Sequence, residues 1–505
     1  MDFTGEPLEA SWRRAALVGL LAALALYTLL LARHVGAVAG GSDSSGYMNH
    51  AKMLASERLH VQPRTVPGLD PAAAPPFLYV PLGFKPAWNG DGIVPTYPTG
   101  FPLFVVAAST LAGWRHAGDL AIVLNALLGV LATYGLCRAL GLGRGASTLG
   151  TAIVALSPLY VFMSLQAMSD VPSLAWTSLA VLAALRSRSR ASWALAAGAA
   201  TAVDVLLRPT NVLAFIPVAI ALGTSPRRWV LLALGGLPGA VFFGAHSLAA
   251  YGSLATTGYG DNSQAFLARY VPGTLLHYLV WLPVLFTPLS LLFAGLPWVR
   301  GLETRSKWLL GAWVGAYGAF YSTYECTHQT WWYLRFLLPA APALVAGGLL
   351  VARPLFERAP RWADPGRSVG AATLAALLVL ASSFEGNRRL YTLTIGSDEL
   401  RYPQLAQWMD AHVPAGAVCL AMQASGSLFY YTHYTFLRWD VLDARLEDRV
   451  EKAARASGRP LYAVLFPFEI TEGGAFARKL RGRWQQVGKV QDVTIWRRDF
   501  AADTP

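Results

Sequence analysis

Apolar segments long enough to fill a bilayer recur along this chain, and they limit its fold more than any other feature. The candidates are Ala15–Ala32, Leu120–Leu136, Ser147–Leu165, Val171–Leu185, Trp193–Leu207, Asn211–Leu222, Trp229–Ala250, Leu275–Pro297, Trp308–Tyr324, Phe336–Ala352 and Val369–Phe384, about eleven in all. Only 14% of the 505 residues are charged, against about 25% in ordinary soluble proteins. Inside a bilayer each spanning segment must satisfy its own backbone polar groups, so such runs fold as helices. The expected fold is a membrane all-α polytopic bundle of about eleven transmembrane helices over residues 1–385, followed by a small C-terminal α/β domain over 386–505.

Charge orients the bundle. Arg13 and Arg14 precede the first run, which is longer than a signal-peptide core of about 7–15 residues. It is expected to be a retained helix, although Ala37-Val38-Ala39 resembles a cleavage site. A long polar segment, 33–118, follows. Within it Phe101–Ala112 is apolar but short and begins among Pro98 and Pro102, which suits a juxtamembrane helix. With the N-terminus inside, the short inner loops hold Arg138, Arg144, Arg186, Arg188, Arg190, Arg227, Arg228, Arg300, Arg305, Lys307, Arg353, Arg358, Arg361 and Arg367. The short outer loops hold Arg208, Arg269 and Arg335. This asymmetry is the positive-inside pattern, and it assigns the net charge of +12 to inner loops rather than to nucleic-acid binding. An odd number of crossings puts the C-terminal domain outside. There Tyr402–His412 and Asp443–Ala456 read as helices, and Ala417–Ala421, Leu461–Phe466 and Val493–Arg497 as strands. Cys137, Cys326 and Cys419 form neither a disulfide framework nor a metal-ligand spacing.

Under this topology several ionisable residues gather at the outer face, where charges near a membrane are paired or functional. Asp43 follows the first helix, in GSDSSGYMNHAKML, with a helix-like run on to Leu59. It suits either a helix cap or a general base that takes a proton from an acceptor hydroxyl. Asp170, before Val171-Pro172, is likewise a helix start or a supporting carboxylate. Asp204 and Arg208 are four apart, so they are expected to pair on one helix. Arg208 also suits bidentate binding of a lipid-linked phosphate. Glu325–Pro339 is an aromatic belt that carries His328 and Arg335, cations for a leaving phosphate. Tyr47, Lys52 and Tyr97 are further substrate-binding candidates, Lys52 being equally a solvated residue. No P-loop, dinucleotide fingerprint, HExxH or GxSxG in context is present.

The stretches GSDSSGYMNHAKML, YPTGFPLF, SPLYVFMSLQAMSDVP, LLRPTN and HQTWWYLRFLLPAAP, followed by YPQLAQWM, GAVCLAM and FYY, resemble the GT-C superfamily of integral-membrane glycosyltransferases. The likeness is to bacterial relatives of the protein O-mannosyltransferases and of the lipid A aminoarabinose transferase. The resemblance implies a polyprenyl-phosphate sugar donor, transfer on the periplasmic side of the bacterial inner membrane with inversion, and a lipid, glycan or protein acceptor. It maps the acid of the first outer loop to Asp43 and that of the second to Asp170. The chain departs from its relatives in having a single Asp flanked by Ser42, Ser44 and Ser45, and Tyr97 where the aminoarabinose transferase has a lysine before proline. A divalent metal is left open. The rival classes are a polytopic transporter or lipid flippase and a non-enzymatic envelope assembly protein.

Overall fold

The computed structural model describes residues 10–254, 256–357, 365–471 and 474–500. Arg358 and Arg361 lie outside the described residues. The chain divides into two compact units, and most of it is helical.

The first unit comprises Met1–Val35, Leu120–Phe243 and Asp261–Ile395. Among the described residues of the whole chain, Gly100–Ala139, Pro226–Tyr251 and Trp331–Arg353 are long and apolar enough to cross a membrane. Arg144–Ala155 with Pro158–Ser164 adds a fourth candidate, bent by 60°. Shorter apolar helices include Val18–His34, Trp193–Leu207 and Pro209–Leu222. Several expected continuous spans are therefore broken, each for a local reason. Ser157 ends one helix and caps the next, its Oγ accepting from the Tyr160 N–H at 3.2 Å, and Pro158 cannot continue the preceding hydrogen-bond ladder. The 275–297 run becomes Val271–Leu285, Leu289–Leu292 and a 3-10 turn, Phe293–Trp298, interrupted at Thr287 (φ 63°) and Pro288. The 211–222 run opens with a 3-10 turn, Pro209–Ala214, before the helix Phe215–Leu222.

Close packing in this unit uses small residues. A Cβ on Gly198 would collide with the Leu232 carbonyl, and one on Gly235 with that of Leu195. Glycine at both contacts lets the two backbones approach, as at helix interfaces in membranes. Leu20, Leu21, Leu26 and Leu29 on the first helix, and Leu374, Leu377 and Leu378 on the helix Pro365–Arg389, face outward. Rows of exposed leucine of this kind fit hydrocarbon surroundings rather than water.

The second unit comprises Gly36–Asp119, Gly244–Gly260 and Gly396–Pro505. It opens with the helix Ser42–Ala55, which stops short of Leu59 as the chain turns at Glu57 (φ 54°). A small hairpin follows, β1 (Phe84–Pro86) with β2 (Ile93–Pro95). The apolar 101–112 stretch is helical, and Gly113 (φ 69°, ψ 166°) separates it from the residues that follow. A five-stranded sheet comes from β3 (Val418–Leu420), β4 (Thr435–Leu437), β5 (Leu461–Leu465), β6 (Trp484–Val490) and β7 (Val493–Arg498), in the order β4-β3-β5-β7-β6. The pairs β3–β4 and β3–β5 are parallel, and β5–β7 and β6–β7 antiparallel.

Both faces of this sheet are covered, so its central strands read as unbroken apolar runs. One face, with Val418, Leu420 and Leu461, packs on the helix Ala444–Ala456 through Leu446 and Val450. Asp443 caps that helix by accepting from the Leu446 N–H at 2.7 Å. Val66, Leu69, Leu78 and Tyr79 of the early loop join the same core. The opposite face, with Cys419, Tyr462 and Ile495, packs on Leu405 and Met409 of the helix Arg401–His412.

Candidate functional site

Asp43 is held by its immediate neighbours in the second unit. The cap of its helix is Gly41, in extended conformation (φ −61°, ψ −171°), and no side chain caps the helix. Asp43 therefore lies in the first turn instead of capping it, where the helix dipole favours an anion. Its partner comes from the end of the hairpin segment: the Tyr97 hydroxyl donates to Asp43 Oδ1 at 2.6 Å and lies 3.1 Å from Ser42 Oγ. Burial, and then the Asp43 charge, push the Tyr97 phenol well above its ordinary value, so it stays protonated and donating.

An aromatic and imidazole wall fixes this geometry. The ring of Tyr47, buried, lies 5.0 Å from Tyr97 and 5.6 Å from Phe101. Gly46 leaves the room the Tyr97 ring occupies, since a Cβ there would overlap it. His50 Nδ1–H donates to the Tyr97 carbonyl at 3.0 Å. Burial, with His246 close by at a ring distance of 5.5 Å, pushes the His50 imidazole down to about 3, so it is neutral at physiological pH. Asp43 itself remains partly exposed, as a group that must meet a substrate requires.

Sequence reasoning missed Glu399. Its Oε2 accepts from the Gly41 N–H at 3.4 Å, two residues before Asp43. A Cβ on Gly40 would overlap the same oxygen. The two positions are 358 residues apart, so no local pattern points to the contact.

Within the first unit, Asp170, Arg208 and Arg335 cluster. Asp170 is fully buried and is the first residue of the helix Asp170–Arg186. The cap position is Ser169, without a side-chain cap bond. Arg208 Nη2 donates to Asp170 Oδ1 at 2.7 Å and to Ser169 Oγ at 3.3 Å. Arg335 Nε lies 4.0 Å from the same carboxylate oxygen. Both guanidinium groups sit over the Phe336 ring at 5.1 Å. Asp204 and Arg208 meet through the backbone, the Arg208 N–H donating to the Asp204 carbonyl at 3.0 Å. The helix Trp193–Leu207 ends just before Arg208, which is extended (φ −156°, ψ 115°). The Asp204 carboxylate accepts from Thr177 at 2.5 Å and Asn211 at 2.7 Å.

His328 stacks on Tyr270 at 5.6 Å. His328 Nδ1, His277 Nε2 and Thr330 Oγ1 are buried without hydrogen-bond partners among the described residues. His277 was not anticipated, because a lone His in an apolar run reads as core. Lys52 is engaged elsewhere, with its Nζ 3.5 Å above the Tyr430 ring and bonded to the Tyr430 carbonyl at 3.2 Å. The structure thus gathers Asp43, Tyr47 and Tyr97 in one unit, and Asp170, Arg208 and Arg335 in the other. Among the described residues no three side chains of His, Cys, Asp or Glu are grouped to hold a metal ion.

The first unit also has an apolar groove of about 480 Å³, lined by Val205, Val212, Phe215, Trp229, Leu237 and Phe243 among others. Its walls suit a hydrocarbon chain.

No family model matches the chain, and no curated protein matches it. Solved structures do. ArnT from Cupriavidus metallidurans bound to undecaprenyl phosphate aligns with a TM-score of 0.59 at 14% identity, covering 97% of this chain and 99% of that one. The oligosaccharyltransferase AglB of Archaeoglobus fulgidus, in complex with an inhibitory peptide and a dolichol-phosphate, aligns at 0.54 and 12% identity, covering 90% and 70%. The mycobacterial arabinofuranosyltransferase AftD aligns at 0.50 and 15%, covering 98% of this chain and 42% of its own. The chain shares its fold with these proteins.

Proposed function

We propose that this protein is an integral-membrane glycosyltransferase that moves a monosaccharide from a polyprenyl-phosphate donor to a hydroxyl of an envelope acceptor at the periplasmic face. In this reading residues 1–385 supply a bundle of about eleven crossings with the N-terminus in the cytoplasm, and 386–505 lie outside. The observation that carries the reading is the Asp43 carboxylate, partly exposed, set in the first turn of its helix and aimed by the 2.6 Å bond from Tyr97. The likeness to proteins solved with undecaprenyl phosphate and dolichol-phosphate supports the donor class.

The reaction then runs as a single displacement. Asp43 accepts the proton of the acceptor hydroxyl. The freed oxygen forms a bond to the anomeric carbon as the bond from that carbon to the phosphate oxygen breaks. The electron pair leaves on the polyprenyl phosphate, and attack from the opposite face inverts the centre. Arg208 and Arg335 are the cations for the charge that gathers on the leaving phosphate. Asp170 holds Arg208 in register, and the apolar groove suits the isoprenoid chain. Tyr47 packs behind Tyr97, while His328 lines the segment that bears Arg335.

The test is transfer from a radiolabelled polyprenyl-phosphate sugar by purified protein. Asp43→Asn is expected to lower turnover by about 10²–10⁴-fold, the usual weight of a general base. Turnover like the wild type removes Asp43 from the mechanism. Movement of the lipid across reconstituted vesicles without bond formation would replace the reading with a flippase.

A further inference from the structure

Beside the start of the Asp43 helix, the second unit contains a cavity of about 370 Å³ that the mechanism above does not use. Its wall includes Glu399, Arg401, Tyr402, Gln423, Phe466 and Phe468. The polar groups are tied into one scaffold. Arg401 Nη1 donates to both oxygens of Asp492, at 2.9 and 2.8 Å. Gln423 Nε2 donates to the Tyr402 hydroxyl at 3.1 Å, and the Gln423 N–H donates to Glu469 at 3.2 Å. Ordered in this way, they lose little side-chain entropy on meeting a ligand.

The chemistry of the wall selects the ligand. Its one cation is already matched by Asp492, and Glu399 adds a carboxyl, so a phosphate or other anion would meet repulsion. An apolar ligand would strand the carboxyl, amide and phenol. At the rim, the Phe468 ring is 43% exposed, 6.1 Å from Phe466, which in turn lies 5.5 Å from Tyr402. Aromatic faces beside planar hydrogen-bonding groups suit a neutral polyhydroxylated ring. Its C–H face rests on phenyl and its hydroxyls bond to the carboxyl, amide and phenol. Burial pushes the Glu399 carboxyl up to about 7 against the pull of the Gly41 N–H and Arg401, so near neutrality it both accepts and donates to hydroxyls.

The cavity also adjoins the reacting carboxylate. A Cβ on Gly41 would stand 3.3 Å from Gln423 Nε2 and 3.5 Å from the Tyr402 hydroxyl, and Gly41 is two residues from Asp43. The geometry points to this cavity as the acceptor subsite: it takes an uncharged saccharide ring of the acceptor and presents a hydroxyl toward Asp43. The inference rests on the glycosyltransferase reading for its role, and on the cavity alone for its ligand.

The test titrates the purified full chain in nanodiscs with free mannotriose and arabinotriose, and with a mannotriosyl lipid, reading saccharide contact by saturation-transfer NMR. Phe468→Ala is expected to weaken saccharide binding about tenfold, the weight of one lost aromatic face, and Phe468→Trp to restore it. Tighter binding of the lipid-borne saccharide than the free one identifies a glycolipid acceptor, and equal binding a glycan; both support the subsite. Equal binding by wild type and Phe468→Ala, or no binding of any probe at millimolar concentration, overturns it. Phe468-dependent binding in a protein that transfers nothing from a polyprenyl-phosphate donor keeps the ligand and overturns the glycosyltransferase reading. Transfer whose acceptor KM is unmoved by Phe468→Ala does the reverse.

Discussion

Replacing Tyr97 by Phe isolates one bond of the proposed site. The ring stays, with its packing on Tyr47 at 5.0 Å. What goes is a hydroxyl that donates to Asp43 Oδ1 at 2.6 Å. A hydrogen bond from a neutral donor to a carboxylate contributes about 1.5–3 kcal/mol. If that energy serves to aim the carboxylate at the acceptor, its loss lowers turnover about 10–150-fold, at 1.36 kcal/mol per decade. The bond also favours the ionised carboxylate, so without it the acid limb of the pH–rate profile moves to higher pH. The two effects separate cleanly, because Tyr97 stays protonated in the wild type across any practical pH. The assay is single-turnover transfer from a radiolabelled donor at saturating acceptor, repeated across pH. Ser42→Ala is the control, since its contact is with Tyr97 at 3.1 Å and its effect should be smaller. A Tyr97→Phe enzyme with wild-type rate and an unmoved acid limb would refute the idea that this bond prepares Asp43.

Two further outcomes follow from the buried charges. Asp170→Asn and Arg208→Gln should each destabilise the fold by about 3–5 kcal/mol, because each strands a buried partner. The double variant should lose clearly less than their sum in reversible unfolding from detergent, and strict additivity would show that the pair is not coupled. Glu399 gives a pH signature. Its folded value, about 7, lies above its ordinary 4.5, so the native state binds the extra proton between those values. Stability should therefore fall by about 1–3 kcal/mol as pH rises through that window. Thermal unfolding of Glu399→Gln should be flatter across the same range, and a slope equal to the wild type would remove Glu399 as its source.

The parts of the fold set by local pattern were legible in the sequence. Trp193–Leu207 has the same bounds in expectation and structure. Asp443 caps its helix, and three strands of the C-terminal sheet fall where β-rich apolar runs lie. The edge strand Trp484–Val490 is mostly exposed and lacks alternation, and Thr435–Leu437 is three residues long, so neither carries a period to read. Uniformly apolar stretches hide breaks: 147–165 looks continuous until Ser157 caps the next helix. Pairing between distant residues is harder still. Arg208 has an acid four positions away and hydrogen-bonds to another 38 away. Tyr97 could be nominated from its motif, but its bond to Asp43 depends on how a 54-residue excursion closes.

The early loop donates Val66, Leu69, Leu78 and Tyr79 to a core whose other members come from the last ninety residues of the chain. Neither sequence segment has a finished interior without the other. During synthesis, then, the apolar side chains of that loop wait for their partners until the final strands have been made. A stop codon in the closing tenth of the gene would remove Leu461, Ala463, Leu465, Ala475 and Leu480 from that core and leave it unfinished, though every apolar span had already been made.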